Sequence, residues 1–484
     1  MNTITKLFSL TLLLLISADI TFSQTVYTWN GSVNSNFSTA GNWTPFRQIG
    51  LVTDILVFDN SGTLNVGNVY QVTIGQLIVK NNTNLVLSPA SGNAKLVTIK
   101  GAAGEDLVVE AGSSLKITGN DPSLNFYLET GTTGTINGNL SFEGSIAHYI
   151  NAADAMALRF KQGSTFSQRC PGSIFNTTGV NNAVVFESGS SFRIDHSNAL
   201  NPFGVNAPNS KVLFEESSNL VITNIASLQI AGRNIADLTI EPGTTVNLTE
   251  SFTSDISVNN ISVKSGASLT VTNTNPAYSP VFRIHGNINV TGSLKFSAET
   301  SSKFKVNFCG SSLQTISGAG EIIFPSNLEV FELDNSISLQ RDLAVNCPII
   351  VNRFEIIKNG FEFTYNPQFG NPFNGTKTVI SSTGATGGDL SVSSSIPSEF
   401  SISQNYPNPF NPSTKIDFSL PVDSKVSIRV FDITGKEAAV LVNSVLEAGV
   451  HTVNFNASQL SSGIYFYTIN TGNFTKTVKM VLAK

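Results

Sequence analysis

Four histidines and three cysteines are all that this 484-residue chain offers for proton transfer near neutral pH or for soft-metal and thiol chemistry. The histidines are His148, His196, His285 and His451; the cysteines are Cys170, Cys309 and Cys347. No two histidines stand at metal-ligand spacing, and H-E-x-x-H does not occur. The G-x-S-x-G elbow of serine hydrolases is also missing, and the many "GSS" and "SGS" strings read as turn repeats. Lone histidines in such a chain are expected at outward or corner positions. The cysteines are too few for a disulfide scaffold and are expected to be unpaired, small, buried hydrophobes.

Glycan cleavage would need clustered acids, or a Ca²⁺-supported base, because charge must be concentrated at one point of the sugar. The densest acidic groups are "EDLVVE" (Glu105, Asp106, Glu110) and "FEES" (Glu215, Glu216), and neither joins an Arg/Lys pair. Both read as solvated charge. No catalytic, cofactor-binding or metal-binding residue is therefore assigned, and no cofactor is expected. A formal net charge of -5 leaves no basic footprint for nucleic acid. Two function classes remain. The first is a non-catalytic protein for adhesion, matrix formation or glycan binding. The alternative is a polysaccharide lyase or glycoside hydrolase on the same scaffold.

The scaffold is written in short alternating runs: "LVVEAGSSLKITG", "LRFKQGSTF", "VVFESGSSF", "VLFEESSNLVI", "LTIEPGTTVNL", "ISVKSGASLTV" and "INVTGSLKF". Each is an apolar strand, a small-residue turn and a second strand. The turns are anchored at Gly112, Gly138, Gly163, Gly189, Ser217, Gly243, Gly266 and Gly292, with spacings of 26, 25, 26, 28, 26, 23 and 26 residues. That period predicts a solenoid, because one unit cannot bury its few apolar residues alone. The fold class is all-β, a right-handed parallel β-helix with Val109, Phe160, Phe186, Phe214, Ile240 and Val263 stacked in one internal column. Only 13% of residues are charged, so the outer face is hydroxyl and amide. A solenoid end needs a cap, and "YTWNGSVNSNFSTAGNWTPF" (Tyr27–Phe46), which holds both tryptophans, predicts one at about 24–60. These stretches resemble secreted bacterial β-solenoid proteins at motif level over Gln24 to Asn366, which implies a fold and a location but no activity.

The remaining segments differ in style. Residues 1–23 carry Lys6, an apolar run from Leu7 to Ile16 and small residues, which reads as a secretory signal peptide. The solenoid is expected over 24–380, and the Gly/Ser/Thr-rich stretch 381–397 reads as a linker. Residues 398–484 open on "QNYPNPFNPSTKI" and hold about seven short strands, with tight turns at "DITG" (Asp432–Gly435), Gly449 and Gly463. They predict a small Ig-like antiparallel β-sandwich. This segment closely resembles the type A C-terminal sorting domain of the type IX secretion system. The resemblance rests on Tyr406, Pro407, Asn408, Pro409 and Phe410, the Asp432–Gly435 turn, "AGVHTV" with Gly449, "LSSGIYFY" with Gly463 and Tyr465, and "KTVKMVLAK" ending at Lys484. It implies export through the periplasm to the outer surface of a Gram-negative bacterium by the type IX machinery. It also implies removal by that system's surface protease, with cargo released or joined to surface lipopolysaccharide.

Overall fold

Alternation at period 2 with glycine at the corners builds strands that stack coil on coil in parallel register. In the computed structural model, a β-solenoid of parallel strands with about 12 turns is followed by antiparallel sheets. The structure describes residues 24–48, 50–101, 104–225, 228–351, 356–369, 400–446, 449–472 and 474–483. The expected signal peptide, the linker 381–397 and Lys484 lie outside them. Apart from two 3-10 turns, every regular element among the described residues is a strand. The chain divides into two units, Met1–Val185 and Phe186–Lys484.

The first unit opens on the tryptophan segment. The strand Thr25–Trp29 runs parallel to Asp54–Phe58, and its other edge is met by the short antiparallel strand Trp43–Thr44. The Trp29 and Trp43 rings meet edge to face at 5.0 Å, and both lie against Phe58. Arg47 Nε donates to Asp54 Oδ2 at 2.8 Å, and both side chains are buried. The guanidinium also lies within 6 Å of the Tyr27, Phe37 and Trp43 ring centres, a cation–π arrangement that offsets part of its desolvation.

Beyond this segment the coils as far as Ile150–Ala152 carry three strands each, for example Leu107–Val109, Ser114–Thr118 and Leu124–Leu128. Phe58, Val79, Val109, Ile136 and Phe160 pair successively, forming one fully buried column. His148 departs from expectation. It is completely buried, with Nδ1 accepting from Leu124 N at 3.0 Å and Nε2 3.3 Å from Gly119 O. Burial lowers its pKa from the ordinary 6.5. Below that pH the unfolded chain takes up a proton that the folded unit refuses, so stability present above about pH 6.5 is lost as pH falls. The thermal midpoint of this unit should drop between pH 7.5 and 5.5, and His148→Gln should flatten the dependence. A midpoint that is level across that range in the parent protein would contradict this account.

The corners explain the glycine period. In "EAGS", "KQGS", "ESGS", "EESS", "EPGT" and "KSGA" the fourth residue's N–H bonds the first residue's carbonyl at 2.9–3.2 Å. The third residue has φ between +64° and +80° in each. This is the type II turn, which favours glycine at its third position. Ser217 alone occupies it without being glycine, at φ +64°. Ser217→Gly should raise stability by about 0.5–1 kcal/mol by relieving left-handed strain; a drop in the urea midpoint would show that the hydroxyl is needed.

In the second unit the column is not the one expected. Phe214 stacks on Phe186 at 5.4 Å, but Ile240 and Val263 do not continue that line. Ile240 pairs instead with Ile222 and with Val263, and Val263 pairs in turn with Val290. The cause is one short coil: Leu220 lies beside Leu238, 18 positions on, whereas Leu238 to Ile261 takes 23 and Phe192 to Leu220 takes 28. The strand before each later turn therefore stacks on the face that held strands after the turn.

The C-terminal strands form two antiparallel sheets. Ser401–Ile402, Ser413–Leu420 and Gly449–Asn456 make one; Glu437–Leu446, Ser424–Asp432, Gly463–Asn470 and Thr475–Leu482 make the other, each in that order. The alternate residues Ile416, Phe418, Leu420, Val426, Ile428, Val430, Tyr465, Tyr467, Ile469, Met480 and Leu482 are buried in one core.

Candidate functional site

The Tyr406–Phe410 segment is held at both ends of the sandwich chain. Tyr406 exchanges two backbone hydrogen bonds with Lys415, at 2.9 and 3.0 Å. Asn405 is buried; its Nδ2 donates to Pro407 O and to Thr414 Oγ1, each at 3.0 Å, and Thr414 Oγ1 donates to Pro407 O at 2.9 Å. A proline-rich run cannot hydrogen-bond itself into a ladder, so these side chains supply the missing fixings. Asn408 Oδ1 then accepts from Val481 N at 2.8 Å. Phe410 N donates to Val481 O and Ala483 N donates to Phe410 O, both at 3.0 Å. The Phe410 ring, 2% exposed, enters the core 6.1 Å from Phe455. The opening motif and the last strand thus clasp each other across more than seventy residues of sequence.

Of the two aromatics in this motif, only Phe410 packs into the core. Tyr406 is 71% exposed, because its backbone is committed to Lys415 while its ring points outward from the sheet edge. Pro407 and Pro409 are exposed and Asn408 is half-buried. At the hairpin, Asp432 Oδ1 accepts from Thr434 N, Thr434 Oγ1 and Lys436 N, and Gly435 has φ +81°. The Thr434 hydroxyl and N–H hold the Asp432 carboxyl below its ordinary range. Gly449 and Gly463 each open a strand. Tyr465 is buried and its hydroxyl donates to Ser461 O at 2.8 Å. Lys484 lies outside the described residues.

Sequence reasoning missed Asn405, Thr414 and Tyr467. Tyr467 is fully buried, its hydroxyl donates to Ser403 O at 2.6 Å, and burial pushes its pKa up to about 12. The alternation in "GIYFYTIN" places it on the face of Tyr465 and could have found it. Asn405 carries no local signal; its role appears only when Thr414 folds beneath it.

The acids singled out in the sequence are tied to the scaffold or exposed to solvent. Glu105 Oε1 accepts from Thr135 Oγ1 at 2.9 Å, and Asp106, buried, accepts from Thr133 N at 2.8 Å. Both serve the coil stacking. Glu110 and Glu216 are exposed. Among the described residues, no group of three His, Cys, Asp or Glu is arranged to hold a metal ion. The three cysteines carry no disulfide; Cys170 and Cys347 are buried as expected, but Cys309 is half-buried.

Compared with known families, residues 404–483 match the secretion system C-terminal sorting domain. No curated protein and no solved structure matches the chain. The match spans the clasp, the Asp432 hairpin and the strand to which the clasp is fastened. The domain directs the protein to the type IX secretion machinery, and hence to secretion or the outer surface.

Proposed function

We propose that this chain is a non-catalytic β-solenoid protein with a role in adhesion, matrix formation or glycan binding. It would be delivered through the periplasm to the exterior of a Gram-negative bacterium, with residues 1–23 and 398–484 as removable addresses. The observation that supports the binding role is the register of short polar side chains on the outer faces. Thr63, Asn84, Ser114, Asn139 and Thr165 pair in line on five coils of the first unit. Thr245, Ser268 and Ser293 do so in the second, as do Thr249, Thr272 and Ser297, with the column Asn247, Thr270 and Lys295 between them. All are exposed or half-buried. Such columns present uncharged donors and acceptors at about 4.8 Å per rung, a regular match for the hydroxyls of an extended neutral glycan.

The test is a glycan array probed with residues 24–380, beside the Asn84→Ala/Asn139→Ala variant. Retention of a polymeric glycan by the parent and loss in the variant is the expected result. Release of shortened or unsaturated sugars from any bound polysaccharide would overturn the non-catalytic reading in favour of a lyase or hydrolase.

A further inference from the structure

In the second unit, outward residues of one face fall on successive coils. Ser257 pairs with Arg283, and Arg283 with Asn307. Two positions beyond Arg283 and Asn307 in the chain come His285 and Cys309. Cys309 Sγ lies 3.7 Å from His285 Nδ1, and His285 Nε2 lies 3.4 Å from Ser257 Oγ. His285 is exposed and Cys309 is half-buried. The signal in the sequence was the 24-residue spacing from His285 to Cys309, close to one coil.

A thiol, an imidazole and an orienting hydroxyl in a row have two chemical uses. Acyl transfer would need free backbone donors beside the thiol to hold an oxyanion. Here Cys309 N donates to Ile284 O and Gly310 N donates to Gln314 Oε1, each at 3.0 Å, so both are committed. Burial also pushes the Cys309 thiol up to about 11, away from an activated nucleophile. Metal capture needs neither a free donor nor a preformed thiolate, because the ion displaces the proton.

We propose that Cys309 and His285 form an open, two-ligand site for a thiophilic cation of the Zn²⁺ class. Ser257 accepts from His285 Nε2–H and thereby turns the Nδ1 lone pair toward the sulfur, the usual way a ligating imidazole is oriented. A tetrahedral zinc ion with ordinary Zn–S and Zn–N distances sets the two ligand atoms about 3.5 Å apart, close to the separation found. With two protein ligands the remaining positions go to water, so the ion exchanges readily. Of the charges acting on the thiol, Arg283 is the strongest and opposes a cation, while Asp334 and Glu332 act in its favour.

The experiment uses the full-length protein and iodoacetamide alkylation read by peptide mass spectrometry. Cys170 and Cys347, both buried, serve as internal controls. Micromolar Zn²⁺ should slow alkylation of Cys309 on the order of tenfold, and a chelator should restore it. Mg²⁺, a hard cation, should not protect. His285→Gln, at an exposed position, should abolish the protection when its rate with Zn²⁺ is compared with its own metal-free rate, and Ser257→Ala should weaken it. An alkylation rate unaffected by Zn²⁺, or equal protection in His285→Gln, would overturn the proposal.

Discussion

Replacing Phe186 with alanine should lower the unfolding free energy by about 3–5 kcal/mol, the range for deleting a fully buried aromatic ring. Phe186 is wholly buried and lies between Phe192, parallel at 5.3 Å, and Phe214 at 5.4 Å. Both neighbours are themselves fixed by strand pairing, so the cavity has little freedom to collapse, and the loss belongs toward the upper end. Because each coil gains its burial mainly from the next, the damage should spread to the Phe214 coil. Urea unfolding of the parent and the variant measures it. Lys295→Ala, at an exposed position of a neighbouring face, is the control and should shift stability by less than about 0.5 kcal/mol. A loss below about 1 kcal/mol in Phe186→Ala would mean that the ring is not a packed member of the column.

The repeat was legible because its corners have a strict backbone requirement. A type II turn announces itself through glycine, and six of the eight anchors proved to be such turns with left-handed third residues. The other two, Gly138 and Gly292, are glycines for a different reason: a Cβ there would lie 2.1–2.2 Å from the carbonyl oxygens of Ser113 and Ala267. Turn spacing could not reveal which face each strand joins. Ser217 to Gly243 spans 26 residues like its neighbours, yet the chain completes a coil in the 18 from Leu220 to Leu238 and turns at the next corner. Spacing records contour length, whereas the face depends on how many strands fit into it. The same limit hid His148, since an isolated polar residue carries no period and its surroundings are set one coil away; the His285–Cys309 pair was signalled only by its 24-residue spacing. In the sandwich, alternation showed which residues face inward, but the clasp of Asn408 and Phe410 on Val481–Ala483 joins residues too distant in sequence for any local pattern.

That clasp determines what removal of the last strand should do. Thr475–Leu482 pairs along its whole length with Gly463–Asn470 and contributes Met480 and Leu482 to the core. Without it, Gly463–Asn470 keeps only Ser424–Asp432 as a partner, and its other edge becomes a row of unpaired N–H and C=O groups. Phe410 and Asn408 lose Val481 at the same stroke, so the opening motif is released together with the strand. Deleting residues 475–484 should therefore unfold the sorting domain and stop export, with the solenoid left folded and retained in the periplasm. Phe410→Ala should act the same way more mildly, at about 3–5 kcal/mol for a buried ring, while Thr477→Ala, on the exposed face, should be exported normally. In the parent, the exterior protein should end within Ser381–Pro397, the stretch whose Gly/Ser/Thr-rich composition reads as a linker. Cell fractionation with C-terminal peptide mapping reads all of these outcomes. Undiminished export of the truncated chain, or exterior protein that still ends at Lys484, would separate this domain's fold from the sorting role assigned to it.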